Sequence, residues 1–245
     1  MARDAALMQH AAVTGESVFS VYSWSAPTLS LGRHQRAAGK YDRERLTSRG
    51  ITVVRRPTGG RAIMHNREIT YSVAAPAAAN ESLRESYAWI NRVLLAALSR
   101  IGVNASVAGG ASAAALPPGA IPCFARPSEG EIVANGKKLV GSAQWRDGTA
   151  FIQHGSILVE DDQTSLAEFV ADGAGEDERI APPPPATLSD LLGRSPDTRE
   201  FADAVLLTVS DFERADPMTM PEVEIRPAAL DRVAAFLDEE WTWRR

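Results

Sequence analysis

Apolar residues recur at helical spacing through Leu83, Tyr87, Ile90, Leu94, Leu98 and Ile101, which predicts the most regular helix of the chain. Asn80 is placed to cap its start and Gly102 to end it. Elsewhere the pattern alternates. Tyr22 to Arg36 reads as a strand ending in a polar turn, and Ile51 to Pro57 as a second strand running into a glycine pair. Arg61 to Pro76 predicts a hairpin, with arms RAIMH and EITYSVAAP around a turn at Asn66 and Arg67. Glu131 to Leu158 carries Asn135-Gly136 and Asp147-Gly148 between alternating runs; such dipeptides favour two-residue hairpin turns, so a three-stranded antiparallel meander is expected. Val103 to Ala125 has neither charge nor period and reads as a mobile loop ending in Cys123. Asp172 to Ala186, with four prolines at 182–185, reads as a linker. Beyond it Thr187 caps the short helix LSDLLGR, and two amphipathic helices are expected at Phe201–Arg214 and Arg226–Trp241, with Pro227 at a helix start.

Composition narrows what this pattern can build. The chain has 245 residues, 44% of them hydrophobic, which is enough apolar mass for one substantial unit rather than a disordered chain. A single cysteine, Cys123, excludes an intramolecular disulfide framework and a multi-cysteine zinc site and fits a reducing, cytoplasmic compartment. The first residues, MARDAALMQH, lack the basic-then-apolar order of a signal peptide. The most apolar helical stretch contains Asn91, Arg92 and Arg100, which a bilayer span would not tolerate.

Net charge is −5, but it is unevenly spread. Arg33 to Arg67 carries a net +8, whereas Val159 to Glu240 carries −15 and reads as a solvated acidic helical layer. A cationic segment on an acidic protein points to a local site for an anionic partner, and no nucleic-acid motif accompanies it.

Four groups of residues are candidates for chemistry. The first is Arg55-Arg56-Pro57-Thr58-Gly59-Gly60-Arg61, where glycines admit close backbone approach and arginines bind carboxylate or phosphate. The same segment fits a tight turn on an exposed basic edge. The second is Lys137-Lys138-Leu139-Val140-Gly141-Ser142-Ala143-Gln144. Lys137 reads as a solvated edge charge, whereas Lys138 pairs with Val133 and, in a regular strand, shares a face with Val140, Ser142 and Gln144. A cation on a partly apolar face is a site candidate, because burying an unpaired ammonium is costly. The third is Cys123 in Pro122-Cys123-Phe124, fifteen residues before Lys138; a nearby cation would favour its thiolate. The fourth is His65 and His154. There is no G-x-S-x-G elbow and no metal-ligand spacing, so neither a serine hydrolase nor a metal site is expected.

RRPTGGRAIMH, then EITYSV, PCF, GKKLVGSAQ and QHGSIL, in that order between Tyr22 and Leu158, together resemble the lipoate–protein ligase and octanoyltransferase superfamily. The resemblance implies an α/β (α+β) fold, a mixed, largely antiparallel sheet flanked by helices, similar to biotin protein ligase and class II aminoacyl-tRNA synthetase catalytic domains. It implies one catalytic domain over 1–245, with an acidic helical part from about residue 187. Within the superfamily, Cys123 before the lysine strand resembles the branch that passes octanoyl from acyl carrier protein to a lysine of the glycine cleavage H protein or another lipoyl domain. On that resemblance Cys123 holds an acyl thioester and Lys138 lowers its pKa and positions the acyl carbonyl. Arg56, Thr58, Gly59, Gly60, Arg61 and His65 then line the acyl and carrier channel, with Gly141, Ser142, Ala143, Gln144, His154 and Gly155 opposite. No metal or cofactor is implied; ATP and Mg enter only on the alternative reading, an ATP-dependent lipoate ligase. A second alternative is a catalytically silent paralogue that binds lipoyl domains or acyl carrier protein. Family members usually begin with a strand before the segment resembling Arg3 to Leu7, so the start at Met1 reads as late. Regular turns would also put His154 on the face opposite Lys138; both face one pocket only if a bulge intervenes, and Gly141 or Gly155 would permit one.

Overall fold

The computed structural model describes residues 1–77, 82–109, 124, 128–174 and 181–244. The elements in chain order are α1 (Ala2–Thr14), β1 (Val18–Tyr22), β2 (Thr28–Leu31), α2 (Arg43–Ser48), β3 (Thr52–Arg55), β4 (Ile63–His65), β5 (Glu68–Pro76), α3 (Leu83–Arg100), β6 (Ser106–Val107), β7 (Ile132–Ala134), β8 (Lys137–Asp147) and β9 (Ala150–Leu158). A 3-10 turn at Thr164–Phe169 leads to α4 (Leu188–Leu192), α5 (Thr198–Glu213), α6 (Glu222–Leu237) and α7 (Glu239–Trp243). Two sheets result. The larger has the order β1-β5-β9-β8-β7-β6 with antiparallel pairs, and the smaller, β3-β2-β4, contains one parallel pair.

The meander expected from Glu131 to Leu158 forms as β7-β8-β9. Asn135 and Gly136 both adopt positive φ, +50° and +73°, as a type I′ turn requires. The second turn is displaced by one residue: Asp147 pairs with Ala150, so Gly148-Thr149 is the two-residue loop. Other expectations need correction. Tyr22 to Arg36 is not one strand, because the chain leaves the large sheet after Tyr22 and re-enters the small one at Thr28. Arg61 to Pro76 is not a hairpin: β4 pairs with β2, whereas β5 pairs with β1 and β9, so Asn66-Arg67 carries the chain between sheets. The cap of α3 is Ser82 in a reciprocal capping box with Glu85; Asn80 lies outside the described residues. Ser106–Val107 adds a short edge strand where a featureless loop was expected, and the rest of that loop, 110–123 and 125–127, also lies outside them. Helix α6 begins at Glu222, five residues before Pro227, rather than at the proline. Thr187 caps α4 as expected.

The large sheet has two unlike faces. Ile69, Tyr71, Val73, Phe151 and Ile157 point to one, where α3 and α5 cover them with Ile90, Leu94, Leu98 and Phe201. The opposite face is apolar only at its ends. Ala74, Ala150 and Ile152 meet Leu7, Met8 and Ala11 of α1 and Ile225 of α6 at one end, and Leu158 meets Ile63 of the small sheet at the other. Between them lie Ser20, Ser72, Thr70, His154, Ser156 and Glu68, all buried. No described helix is long and apolar enough to cross a membrane.

The loop from β3 to β4 lies against Gly32, where a Cβ would stand 1.9 Å from the Gly60 carbonyl oxygen. Backbone meets backbone there, so a side chain forces the loop away. Gly32→Ala is therefore expected to cost about 1–3 kcal/mol or more in chemical denaturation; unchanged stability would mean that the contact is not tight.

Candidate active site

The polar band forms one wall of a slot of about 410 Å³ of empty space, its open mouth included. Tyr22, Thr70, Ser156 and Gly141 lie on successive strands in one cross-strand row, paired Tyr22 to Thr70, Thr70 to Ser156 and Ser156 to Gly141. Ala143 and His154 form the neighbouring pair. Trp24, Arg56, Gly60, Ile63 and His65 supply the facing wall.

Each polar side chain lining this slot turns its polar atoms toward other protein groups. His154 Nδ1 donates to Asp4 Oδ2 at 3.1 Å, and Thr58 Oγ1 meets Nε2 at 2.7 Å. Tyr22 donates to the same Asp4 carboxylate, 3.2 Å to Oδ2. Ser30 Oγ accepts from Arg56 Nη1 and meets His65 Nε2, each at 2.9 Å, while His65 Nδ1 meets Glu68 Oε1 at 2.7 Å. Thr70 and Ser156 also donate to Glu68 Oε1, at 2.5 and 3.0 Å, and Thr70 accepts from Trp24 Nε1 at 2.9 Å. Trp24 lies flat on the His65 ring, 4.3 Å between centroids. Ser142 bonds Tyr71 at 2.6 Å. The slot is thus polar in composition but presents carbon surface, which suits an apolar ligand.

At its β8 end stands Lys138, 2% exposed, with Nζ 2.6 Å from Glu131 Oε1 and 4.9 Å from the Phe124 ring centre. A bulge puts it there. Val133 pairs with Lys138 but Ile132 pairs with Val140, so Leu139 is an extra residue and the alternation of faces reverses across it. Lys138 consequently faces the same way as Gly141, whose absent Cβ would stand 3.4 Å from Lys138 Cε and 2.8 Å from Phe124. Lys138 and His154 therefore do share the slot face, as a bulge was required to allow, although it falls at Leu139 and not at Gly141 or Gly155. The same reversal corrects Ser142 and Gln144: their side chains point to the α3 side, where Gln144 bonds Gln153 at 2.8 Å. Lys137 is exposed, as expected.

The arginine pair is structural. Arg56 donates to the carbonyls of Ser30, Gly59 and Arg61 and shapes the glycine loop. Arg55, fully buried, donates to the carbonyls of Gly32, Gln35, Thr242 and Arg244 and ties the last helix to β3. Of the two open readings of this segment, a turn is closer, with Arg55 and Arg56 buried rather than on an exposed edge. Arg43, Arg45 and Arg67 pair with Glu239, Asp42 and Asp162; Asp42 already counts within the +8 segment, so the two outside carboxylates lower it by 2 to +6 and leave it basic. Gly60 lines the slot, Thr58 stands behind His154, and Gly59 and Arg61 serve through their carbonyls. Cys123 lies outside the described residues; Phe124, next to it in sequence, is buried with Ile63 and Leu158.

Asp4, Tyr22, Trp24, Glu68 and Glu131 were not singled out from sequence. Asp4 left one signal: with Leu7, Met8 and Ala11 it occupies the buried stripe of α1, an unusual place for a carboxylate.

Such a domain, a mixed α/β sheet carrying an apolar slot beside a buried lysine, matches the family described as the lipoyl protein ligase A/B catalytic domain over residues 1–210, and the chain belongs to that family. A protein named octanoyltransferase LipM from Kyrpidia tusciae is 36% identical over 255 residues, covering 99% of this chain and 92% of its own. Another of that name, from Lysinibacillus sphaericus, is 31% identical and covers 100% and 94%. Among solved structures, a lipoate-protein ligase A bound with ATP aligns with a TM-score of 0.77 at 21% identity over 99% of this chain and 92% of that one. A bipartite lipoate protein ligase from Thermoplasma acidophilum aligns at 0.73 and 19%, covering 99% and 89%. These likenesses bear out the fold.

Burial pushes His154 down from its ordinary value of 6.5, although the Asp4 hydrogen bond and charge oppose the shift. Burial would raise Asp4, but the Met1 ammonium and bonds to His154 and Ser72 outweigh it and hold that carboxyl below the usual carboxylate range. His154 is then neutral in the folded chain and takes up a proton more readily when unfolded. Stability should therefore fall as pH drops below about 6.5 toward the folded-state value, at no more than about 1.4 kcal/mol per pH unit for this group. Denaturant unfolding between pH 7.5 and 5 should show a smaller pH slope in His154→Gln than in the natural chain. Equal slopes would remove His154 from the acid response.

Proposed function

We propose that this protein is a cysteine-dependent octanoyltransferase, moving octanoyl from acyl carrier protein through a Cys123 thioester to a lysine of a lipoyl-type acceptor such as the glycine cleavage H protein. The observation that carries this reading is the carbon-surfaced slot lined at one end by Gly141, against which Lys138 and Phe124, the sequence neighbour of Cys123, are packed. A channel of that kind supports an enzyme that holds an acyl chain rather than an adaptor that only docks its partner. The names of the relatives support the transferase, and the family's fold supports a lipoyl-domain acceptor.

In the first step the Cys123 thiolate attacks the donor's thioester carbonyl, a carbon–sulfur bond forms to the enzyme, and the carrier thiolate leaves and takes a proton. In the second, the acceptor amine attacks the new thioester, an amide bond forms, and Cys123 leaves as thiolate while the amine gives up a proton. On this reading Lys138 stabilises the charge that develops on the carbonyl oxygen in both steps. Neither step requires ATP or a metal.

Incubation with octanoyl acyl carrier protein should add one octanoyl mass to the natural chain and none to Cys123→Ala. Lys138→Met should slow adduct formation about 10²-fold or more. A stable adduct on Cys123→Ala would sink the thioester route. The rival lipoate ligase would instead show lipoate-dependent pyrophosphate exchange.

Acyl carrier proteins and lipoyl domains are generally acidic, so exposed basic residues of the cationic segment can steer them. With Arg43, Arg45, Arg55, Arg56 and Arg67 engaged internally, the exposed Arg36 and Arg49 are the natural candidates. Reversing both charges should lower the transfer rate about 3–10-fold at low salt and have little effect at high salt. A low-salt rate equal to that of the natural chain would remove the steering role.

A further inference from the structure

Glu131 stands immediately before β7, two residues from Val133, the cross-strand partner of Lys138. Alternate residues of an extended chain share a face, so the Glu131 and Lys138 side chains meet on one side of the hairpin. Glu131 Oε1 accepts from Lys138 Nζ at 2.6 Å, and the two side chains are only 13% and 1% exposed. The second carboxylate oxygen, Oε2, accepts from the backbone N–H of Ser128 at 2.7 Å. The main chain that carries this carboxylate is itself held. The Glu131 N–H donates to the Ser128 carbonyl at 3.1 Å, and its carbonyl accepts from the Ala108 N–H at 2.8 Å. The carbonyl of Gly130, one residue earlier, accepts from Asn91 Nδ2 of α3 at 2.6 Å. The far side of the lysine packs on Phe124 and on Gly141, which lines the slot.

We infer that Glu131 is the positioning residue for Lys138: with one carboxylate oxygen on the lysine and the other on the Ser128 backbone, it fixes where the ammonium stands beside the Gly141 end of the slot. The inference rests on the octanoyl-transfer reading, in which Lys138 stabilises developing carbonyl charge, and adds the residue through which that lysine is aimed. An ammonium sits at the end of a flexible four-carbon stem. It stabilises a developing oxyanion only when it already stands where the charge will appear. A misplacement of about 1 Å costs about 10²-fold in rate. Glutamine carries a single acceptor oxygen, so it serves Lys138 or Ser128 but not both, and its amide N–H groups face the donor left over. Aspartate keeps the charge but is shorter by one carbon–carbon bond, about 1.5 Å, and the held main chain does not follow it.

The test is a double-mutant cycle read in octanoyl transfer from acyl carrier protein to a lipoyl-type acceptor. Glu131→Gln should lower kcat about tenfold or more while KM for the loaded carrier stays within about threefold, since Glu131 is not among the residues lining the slot. Glu131→Asp should lower kcat about threefold or more. In a Lys138→Met background, Glu131→Gln should slow transfer by no more than about twofold further, because a residue that acts through the lysine then has nothing left to aim. A carboxylate that only stabilises the fold would instead multiply its loss onto that of the lysine, and multiplied losses overturn the inference. So does a natural kcat in either single Glu131 variant when Lys138→Met is slow. The double variant removes both buried charges together, which favours its folding. Where Glu131→Gln alone does not fold, the same cycle run with Glu131→Asp decides by the same criterion. A natural rate in Lys138→Met, or no transfer by the natural chain, overturns the transferase reading given above and this inference with it.

Discussion

A buried polar atom must be satisfied from within the protein, and the slot depends on that constraint. A lost hydrogen bond to a buried group costs about 1–3 kcal/mol, so a slot for an apolar chain cannot be walled by polar residues whose atoms face it unpaired. The side chains that line the slot meet the constraint through two chains of hydrogen bonds behind the wall, which leave Glu68 Oε2 and Ser20 Oγ of the polar band without a partner among the described residues. One passes from Tyr22 to Asp4, His154 and Thr58, the other from Arg56 through Ser30, His65 and Glu68 to Ser156, Thr70 and Trp24. Each chain joins elements that no strand pairing connects. The first ties α1 to β9 and to the glycine loop, and the second ties the small sheet to β5, β9 and the segment after β1. Carbon surface is what remains facing inward.

The same logic governs the lysine. A buried ammonium requires a counter-charge, and Glu131 provides one at 2.6 Å. Glu131 also accepts from the backbone N–H of Ser128 at 2.7 Å, so it anchors the chain just before β7. Removing one partner of a buried pair costs about 3–5 kcal/mol, because the other charge is left uncompensated. The lysine beside the slot is thus coupled through Glu131 to the backbone at Ser128.

Much of the fold was legible because its signals are local. The helix at Leu83–Arg100 follows from spacing that any neighbour would reward, and the Asn135-Gly136 turn from two residues that tolerate positive φ. The hairpin reading of Arg61–Pro76 failed for a reason of the same kind. Two alternating runs around a short polar turn look alike whether they pair with each other or with strands distant in sequence, and β2 and β9 won those pairings.

By itself the sequence determined the meander, the principal helices, the glycine loop between β3 and β4, and the five ordered motifs that place Lys138, His65 and His154 in one family of sites. Only the tertiary structure decided which way those residues face. Side chains alternate with a period of two, so one unpaired residue at Leu139 reverses the faces along β8 and brings Lys138 to Gly141 while turning Ser142 and Gln144 away. Nor could spacing show that Arg55 and Arg56 are consumed by backbone carbonyls, or that Asp4, 150 residues away, completes His154. Those facts arise from contacts between segments far apart in the chain, and the energy of such a contact is recorded at neither end alone.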